Sequence, residues 1–313
     1  MKRYILTVGP SLLYKVPLKE IHAENNIYRI NAAHGTIADI EGHASEIRRQ
    51  VPDADVMVDL PGNKVRVIGA YELKAGETVD IPSQNFNYPD FWKLLSKGMK
   101  VWANDSIFEL EVYRANEEKI TFLSRSTGTL TNNKGMHVRG IHSGIPFLFE
   151  KDKELISLAN KMRFAFVGLS FVRSKADIEE AKSLIDSSEI IAKTETLEAV
   201  QNLNDILDVS EYIAIDRGDL STEIGIENIP RWQDFIIDKA HYFGKKVFVA
   251  TQVLKNMETK PIPTIAEIDD LYALSKKGIY GVQMSEETAV GLYVKECVET
   301  LRLVSRNILR ELV

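Results

Sequence analysis

The sequence contains a single cysteine, Cys297, among its 313 residues. One thiol excludes an intramolecular disulfide and any zinc site built from cysteines. Long hydrophobic runs are also missing, because no apolar stretch approaches the about 20 residues that cross a bilayer. Residues 1–4 (MKRY) lead directly into a strand-like segment, without the apolar core of a secretory leader. We therefore expect a cytoplasmic protein with no membrane partner.

An excess of positive charge is absent as well. The 39 lysines and arginines are outnumbered by 45 aspartates and glutamates, which gives a net charge of −6. This balance argues against general nucleic-acid binding and against a basic surface that docks on membranes. With 44% hydrophobic and 27% charged residues, the composition is that of a globular protein.

Short runs rich in β-branched and aromatic residues alternate with longer segments of helical periodicity. The short runs indicate strands and the longer ones indicate helices. The predicted strands are residues 3–8, 27–31, 56–59, 164–170, 189–193, 212–215, 246–251 and 281–285. The predicted helices are residues 39–49, 152–161, 175–187, 197–207, 230–243, 263–277 and 294–312. Such alternation favours a parallel sheet covered by helices.

This alternation predicts an α/β protein with a (β/α)8 TIM barrel, a fold whose usual length is about 250 residues. A doubly wound open sheet is the alternative that the same alternation allows. In a barrel, the carboxyl ends of the strands and the loops after them form the face on which active sites lie. Polar residues at those ends are therefore the candidates for function.

The segment 67–140 interrupts the alternation. It consists of turns and short stretches of alternating polarity, such as 74–81 (KAGETVDI) and 119–124 (KITFLS), which predict half-buried strands. We expect a small β-rich domain, 67–140, inserted after the third strand into a barrel domain formed by 1–66 and 141–313. An insertion in that loop would lie over the active face as a lid.

Two polar side chains lie near the end of the second predicted strand, and a carboxylate lies at the end of the third. Arg29 and Asn31 flank Ile30, so both side chains point to one side of the strand. Barrel interiors normally take branched apolar residues, so polar groups at these positions are unfavourable unless they are used. The third strand ends in Asp59. Each of these residues alone is also compatible with a loop salt bridge or a helix cap.

The fifth and sixth predicted strands bring a lysine and two carboxylates to the same face. Lys193 ends the apolar run 190–192, where a buried structural lysine would be rare. Glu195 lies two residues on, and Asp219 follows the sixth strand. Two carboxylates that converge on a cleft suit a hard divalent cation such as Mg²⁺ or Mn²⁺. A solvated pair of carboxylates without a metal stays open as the alternative.

Nine short segments, most of them at these strand ends, form a sequence pattern whose order along the chain is informative. They are residues 6–11 (LTVGPS), 29–36 (RINAAHGT), 59–66 (DLPGNKVR), 134–135 (KG), 169–174 (LSFVRS), 191–195 (IAKTE), 217–220 (RGDL), 249–252 (VATQ) and 284–289 (MSEETA). The ordered set resembles the pyruvate kinase family along nearly the whole chain. Each segment alone is a weak signal, but the set at barrel-strand spacing is specific for the family.

The resemblance implies phosphoryl transfer between phosphoenolpyruvate and ADP, with pyruvate and ATP as products. It implies that Arg29 and Lys193 hold the phosphoryl group, whose charge they offset. Lys193 would also stabilise the enolate that remains. Glu195 and Asp219 would bind Mg²⁺, which acts as a Lewis acid on substrate oxygens.

The same resemblance implies the remaining substrate contacts. Backbone N–H groups around Gly218 and Asp219 would bind the substrate carboxylate, with the hydroxyl of Thr251 as a further donor. The nucleotide phosphates would be faced by His34, Arg66 and Lys134, the last of them from the lid.

The potassium site of the family is altered in this sequence. Asn31 and Asp59 remain, but the serine, threonine and glutamate of the family are replaced by Ala33, Leu60 and Lys64. Potassium-independent relatives look like this, which implies that the Lys64 ammonium stands in for the ion and that K⁺ is not required. A solvated Lys64 is the alternative.

Other departures from the family bear on whether catalysis is retained. They are Asp216 for alanine, Ser221 for glycine, Ile265 for an arginine that reaches a neighbouring subunit, and Glu286 for glycine. The carboxylate of Asp216 would repel phosphoenolpyruvate if it pointed into the cleft. The sequence stops one helix after the last strand, so we expect no regulatory domain and only part of the family's tetramer interface. Assembly into a homo-oligomer is left open.

The sequence thus predicts a Mg²⁺-dependent phosphotransferase acting on phosphoenolpyruvate and ADP. A lyase or aldolase acting on a pyruvate enolate is one alternative, since it needs Arg29, Glu195, Asp219 and the metal but no nucleotide. A paralogue that binds a metabolite without catalysis is another. The retained residues that face the nucleotide favour the kinase.

Overall fold

The computed structural model describes residues 1–104, 107–141 and 144–311. Its strands in chain order are β1 (Arg3–Thr7), β2 (Asn26–Asn31), β3 (Asp55–Asp59), β4 (Tyr71–Leu73), β5 (Thr78–Pro82), β6 (Lys100–Ala103), β7 (Phe108–Ala115), β8 (Lys119–Ser124), β9 (Gly128–Leu130), β10 (Met136–His137), β11 (Phe166–Leu169), β12 (Glu189–Thr194), β13 (Tyr212–Asp216), β14 (Lys246–Ala250) and β15 (Gly281–Met284).

Eight of these strands close into a parallel barrel in the order β1-β15-β14-β13-β12-β11-β3-β2. They coincide, within a few residues, with the eight predicted strands. The closed ring confirms the predicted (β/α)8 barrel and excludes the open doubly wound sheet. Glu195 and Asp219 follow β12 and β13, which are neighbours in the ring as the sequence predicted.

Helices cover the outside of the barrel. They are α1 (Pro10–Tyr14), α2 (Leu18–Ile21), α3 (Ile37–Gln50), α4 (Glu150–Met162), α5 (Lys175–Lys182), α6 (Leu197–Gln201), α7 (Leu203–Val209), α8 (Arg217–Ile224), α9 (Ile229–Tyr242), α10 (Ile265–Lys276), α11 (Glu286–Ala289) and α12 (Val294–Glu311). Within the described residues, no helix is both long enough and apolar enough to cross a bilayer.

Most predicted helices are confirmed with shifted ends, and one is wrong as a single element. The predicted helix 197–207 is broken into α6 and α7 at Asn202, a residue type that favours turns over helix interiors. The predicted helix 175–187 ends early, at Lys182. The last predicted helix matches α12, but its final residue, Leu312, lies outside the described residues. The sequence analysis missed α8, which follows the sixth strand of the barrel.

The alternation of side chains along each strand divides the barrel into an outer and an inner layer. On β13, Ile213 and Ile215 point outward and join the main hydrophobic core beneath the helices. Ala214 points inward and joins a smaller interior cluster with residues such as Phe248. Asp216 shares the inward direction of Ala214, because it lies two residues further along the strand. The interior of the barrel is therefore apolar along most of the strands and polar at their carboxyl ends.

The strands β4 to β10 lie outside the barrel, between β3 and β11. They form a five-stranded sheet in the order β10-β6-β7-β8-β5 and a separate pair, β4 and β9. Phe86, Phe91 and Phe122 belong to a hydrophobic core of their own. An antiparallel bridge between Arg66 and Gly135 ties the two connections to the barrel together. The domain bounds at 66/67 and 140/141 stay a prediction.

Candidate active site

Lys193 lies at the centre of the candidate site, on the inner side of β12. Its side chain is 6% exposed, and its Nζ lies 3.1 Å from Oε2 of Glu195 and 3.2 Å from Oδ2 of Asp216. It also donates to the hydroxyl of Ser170 over 3.1 Å. Burial disfavours the ammonium, but the carboxylates of Asp59, Glu195 and Asp216 outweigh it and raise the pKa of Lys193. The side chain is therefore a fixed cation.

Arg29 supplies a second buried cation, from β2. Its Nε donates to Oδ2 of Asp59 over 2.7 Å, and its Nη1 donates to the hydroxyl of Thr7 over 2.7 Å. Burial tends to raise the pKa of Asp59, but the charges of Lys193 and Arg29 lower it overall. A Cβ at Gly168 would lie 2.5 Å from Oδ1 of Asp59, so glycine on β11 makes room for this carboxylate.

Glu195, Asp216 and Asp219 form a group of carboxylates beside these cations. One oxygen from each lies within 4.8 Å of the others. Oε1 of Glu195 accepts a hydrogen bond from the backbone N–H of Phe171 over 2.8 Å. Burial, with the charges of Asp216 and Asp219, raises the pKa of Glu195 against the opposing effect of Lys193. Clustered carboxylate oxygens of this kind fit a hard divalent cation such as Mg²⁺ or Mn²⁺.

Lys64 faces the same carboxylates from the loop after β3. Its Nζ lies 2.7 Å from Oδ1 of Asp219. Burial tends to raise the pKa of Asp219, but the charges of Lys64 and Lys193 lower it overall. The side-chain carbonyl of Asn31 accepts a hydrogen bond from the backbone of the turn after β2. Replacement of a monovalent ion beside Asn31 and Asp59 by Lys64 stays a prediction.

The first turn of α8 and the end of β14 form another wall of the cleft. The backbone N–H of Gly218 donates to the hydroxyl of Thr251 over 2.8 Å. Thr251 and Gln252 have φ values of +67° and +51°, in the left-handed region that is unfavourable for side chains like these. The guanidinium of Arg217 donates to both of their carbonyls, over 2.7 and 2.9 Å, and pairs with Asp270. Arg217, held by Asp270, thus fixes the backbone at Thr251 and Gln252; we call these contacts the Arg217 clamp. The clamp orients the Thr251 hydroxyl.

His34 follows β2, and several basic side chains lie near enough to affect its charge. Burial and the positive charges of Arg66, Arg29, Lys134 and Lys151 lower the pKa of His34. The charges of Arg66 and Lys134 thus act on His34, and the role of these three residues as nucleotide contacts stays a prediction. The structure adds Lys151, whose Nζ donates to the backbone carbonyl of the residue after His34 over 3.1 Å. Neighbouring cations of this kind suit the phosphates of a nucleotide.

The strands outside the barrel contact the wall that carries Asp219. Nε2 of His137, on β10, lies 3.2 Å from Oε1 of Glu223 on α8. Nε of Arg139 donates to the backbone carbonyl of Thr222 over 2.8 Å. These contacts place residues of the segment 67–140 against the candidate site.

Among the departures at positions 216, 221, 265 and 286, Asp216 is the one whose charge lies inside the cleft. Its side chain is 8% exposed and points inward, where it pairs with Lys193. Ser221 donates within α8 to the carbonyl of Gly218 over 2.7 Å. Ile265 is 82% exposed, and Glu286 is exposed beside Lys255.

The sequence analysis missed polar neighbours of the predicted site residues, among them Ser170, which accepts from Lys193, and Lys151, which donates to the carbonyl of Gly35. It named Asp216 only as a possible repulsive charge. The alternation of Tyr212, Ala214 and Asp216 along one strand was the available signal that this carboxylate points inward.

Comparison with known proteins agrees with this geometry. The family model described as "Pyruvate kinase, barrel domain" matches residues 2–298. The pyruvate kinase of Sporosarcina psychrophila is 30% identical, over 96% of this chain and 55% of that protein. The pyruvate kinases of Thermococcus litoralis and Thermotoga maritima are 31% and 30% identical, over 97% of this chain and 69% and 70% of those proteins.

The chain thus spans between about half and about two thirds of the length of these relatives. The family model nevertheless covers nearly all of the barrel, including the strands that carry Arg29 and Lys193. The chain belongs to the pyruvate kinase family.

Proposed function

We propose that this protein catalyses divalent-metal-dependent phosphoryl transfer between phosphoenolpyruvate and ADP, through an enolpyruvate intermediate. The observation that carries the proposal is the pairing of two buried cations, Arg29 and Lys193, around Asp59. Beside them lies a group of carboxylates that fits a divalent cation. Fixed charges of both signs in a buried cleft suit a reaction that moves a phosphoryl group and develops charge on an enolate.

In the proposed reaction, Arg29 and Lys193 bind the phosphoryl group during its transfer. The bond from phosphorus to the enol oxygen breaks, and a bond from phosphorus to a β-phosphate oxygen of ADP forms. The electron pair left on the enol oxygen makes an enolate, which the Lys193 ammonium stabilises until the terminal carbon takes up a proton. Because Asp59 already holds both cations, little reorganisation is needed during the reaction.

Glu195 and Asp219 are the proposed ligands of Mg²⁺ or Mn²⁺. Bound there, the cation would supply Lewis-acid chemistry on substrate oxygens. The backbone N–H groups of Gly218 and Asp219 and the hydroxyl of Thr251 are the proposed donors to the substrate carboxylate at the start of α8. The carboxylate would replace the hydrogen bond from Gly218 to Thr251 and the one from the Thr251 hydroxyl to the carbonyl of Ala250. The Arg217 clamp would keep that hydroxyl in place.

His34, Arg66 and Lys134 are the proposed contacts of the ADP phosphates, joined by Lys151. We assign 67–140 as a lid over a barrel domain made of 1–66 and 141–313. The contacts of His137 and Arg139 with α8 support this assignment, because they connect the segment to the wall of the site.

We expect the purified protein, given Mg²⁺, phosphoenolpyruvate and ADP, to form ATP and pyruvate in equal amounts. A hydrogen bond to a charged group contributes about 1.5–3 kcal/mol, so Arg66→Ala should raise the KM for ADP about 10–100-fold. The exposed Arg49→Ala serves as the matched control and should leave KM unchanged. Cleavage of a 2-oxo acid without nucleotide and without ATP formation would favour the lyase, and no turnover at all would favour the non-catalytic paralogue.

We also expect turnover without K⁺, because Lys64 carries a positive charge next to the carboxylates of the site. The measurement compares ATP formation in Na⁺, K⁺ and tetramethylammonium buffers at equal ionic strength. Rates within about twofold of one another are the expected result, since equal ionic strength keeps screening the same and a fixed ammonium makes a bound monovalent cation unnecessary. Strong activation by K⁺ alone would contradict the proposed role of Lys64.

A further inference from the structure

The N–H donors of Lys193 face an equal number of close acceptors. A lysine ammonium has three such donors. Nζ lies 3.1 Å from the hydroxyl of Ser170, 3.1 Å from Glu195 and 3.2 Å from Asp216. Asp59 lies further away, at 3.7 Å. A phosphoryl oxygen that binds to Lys193 must therefore replace one of the three closer acceptors.

Arg29, the other proposed contact of the phosphoryl group, differs in this respect. A guanidinium carries five N–H donors. Its contacts with Asp59 and Thr7 engage one donor on each of the nitrogens Nε, Nη1 and Nη2, which leaves further donors for a phosphoryl group. The exchange of one partner for another is therefore required at Lys193 and not at Arg29.

Among the close acceptors of Lys193, Asp216 is the one that opposes a phosphoryl group most. A phosphate monoester carries a charge of about −1.5 to −2 at pH 7, so a carboxylate on the same ammonium repels it. If the neutral hydroxyl of Ser170 yields its position instead, the charge of Asp216 still lies 3.2 Å from the shared cation. In either case the carboxylate competes with the phosphoryl group for Lys193.

The two other carboxylates near Lys193 have partners elsewhere. Asp59 pairs with Arg29 at 2.6 Å, and Glu195 accepts from the backbone N–H of Phe171 at 2.8 Å. Asp216, whose side chain is 8% exposed, has its ion pair within the described part of the chain with Lys193 alone. Because the family pattern has alanine at position 216, the barrel does not need this carboxylate in order to fold.

We propose that Asp216 holds the position on Lys193 that the phosphoryl group of phosphoenolpyruvate takes on binding, and that this competition sets the affinity for the substrate. The inference rests on the proposed phosphoryl transfer and names a residue that determines specificity in it. When the substrate binds, the contact of Nζ with Asp216 is exchanged for a contact with a phosphoryl oxygen. Pyruvate has no phosphoryl group and does not require this exchange.

Asp216→Ala is therefore expected to bind phosphoenolpyruvate about 10–100-fold more tightly than the parent, the equivalent of one hydrogen bond to a charged group. Calorimetry at saturating Mg²⁺ and without nucleotide measures this affinity. The affinity for pyruvate should change by less than about threefold, since the competition concerns the phosphoryl group. In steady-state ATP formation, KM for phosphoenolpyruvate should fall while kcat changes by less than about threefold.

A second variant and a control separate charge from general effects of substitution. Asp216→Asn keeps the size of the side chain and an acceptor oxygen but removes the charge, so it should tighten binding less, by about 3–10-fold. Asp177→Asn is the same change at a buried aspartate on α5, whose side chain is also 8% exposed and pairs with Arg173. It should leave the affinity for phosphoenolpyruvate unchanged.

A role of Asp216 as a metal ligand is the competing explanation, because its oxygens lie within 4.8 Å of those of Glu195 and Asp219. Titration with Mn²⁺ alone, followed by calorimetry, distinguishes the two. We expect Asp216→Ala to lose less than about tenfold in Mn²⁺ affinity, the effect of one nearby charge that does not bind the ion. A loss as large as that of Asp219→Ala would assign Asp216 to the metal and overturn the proposal.

Unchanged or weaker binding of phosphoenolpyruvate by a folded Asp216→Ala protein would also overturn it, and so would an equal gain in the affinity for pyruvate. Absence of phosphoenolpyruvate binding in both the parent and the variant would have the same consequence. Failure of the proposed function is seen separately, as the absence of ATP formation by the parent. The affinity shift remains measurable in that case, because the calorimetric experiment contains no nucleotide.

Discussion

Lys193→Met is expected to lower kcat for ATP formation about 10²–10³-fold or more, the loss typical of one preorganised donor to a developing oxyanion. The reason is the position of Nζ, which lies within 3.7 Å of three carboxylates that hold it in the cleft. The measurement is steady-state ATP formation at saturating phosphoenolpyruvate, ADP and Mg²⁺.

Loss of this cation also removes the ammonium that lies 3.1 Å from Glu195 and 3.2 Å from Asp216, so stability must be followed by thermal unfolding. The folded variant should still bind Mg²⁺ and phosphoenolpyruvate, though less tightly. Lys182→Met, on the outer helix α5, is the matched control and should keep full activity. Unchanged turnover in a folded Lys193→Met protein would exclude the proposed role.

Asp219→Ala is expected to lower Mg²⁺-dependent turnover at least about 100-fold while the protein stays folded. It removes one of two proposed carboxylate ligands, and a site with one carboxylate binds Mg²⁺ too weakly for catalysis. It also removes the Asp219 oxygen that lies 2.7 Å from the Lys64 ammonium. The charge of Lys64 is then no longer offset by Asp219, which disfavours a cation at this position. Titration with Mn²⁺, followed by calorimetry, measures the loss of metal affinity directly.

Asp90→Ala is the matched control. Asp90 is an exposed carboxylate that pairs with Lys93 and is not one of the proposed site residues. Its metal affinity and turnover should match those of the parent. If Asp219→Ala bound Mn²⁺ as tightly as the parent and turned over at the same rate, Asp219 would not be a ligand.

Much of the fold followed from local sequence patterns. The barrel strands were predictable because each is a short apolar run bounded by polar residues. Arg29 and Lys193 were recognisable as candidates because each places a charged residue at or near the carboxyl end of such a run. Helix breaks were less predictable, because a helical period alone does not show where an asparagine such as Asn202 ends one helix and begins the next.

The neighbours of these residues could not be derived in the same way. The contact of Lys64 with Asp219 depends on the path of the loop after β3, which no periodicity describes. The pairing of Asp216 with Ala250, and of Ala250 with Gln283, depends on the register between β13, β14 and β15. Register is a property of the closed ring, so a sequence pattern predicts the direction of each side chain but not its partner across two strands.

The bridge between Arg66 and Gly135 has a consequence for the entropy of ring closure. β3 and β11 are neighbours in the ring, with Met57 beside Phe166, although about 100 residues separate them along the chain. Closing a flexible loop of that length costs conformational entropy that grows with the logarithm of the loop length. The bridge shortens the loop to about 40 residues, which saves about 1 kcal/mol. The segment 67–140 contributes no strand to the barrel, yet once folded it lowers the entropy cost of pairing β3 with β11.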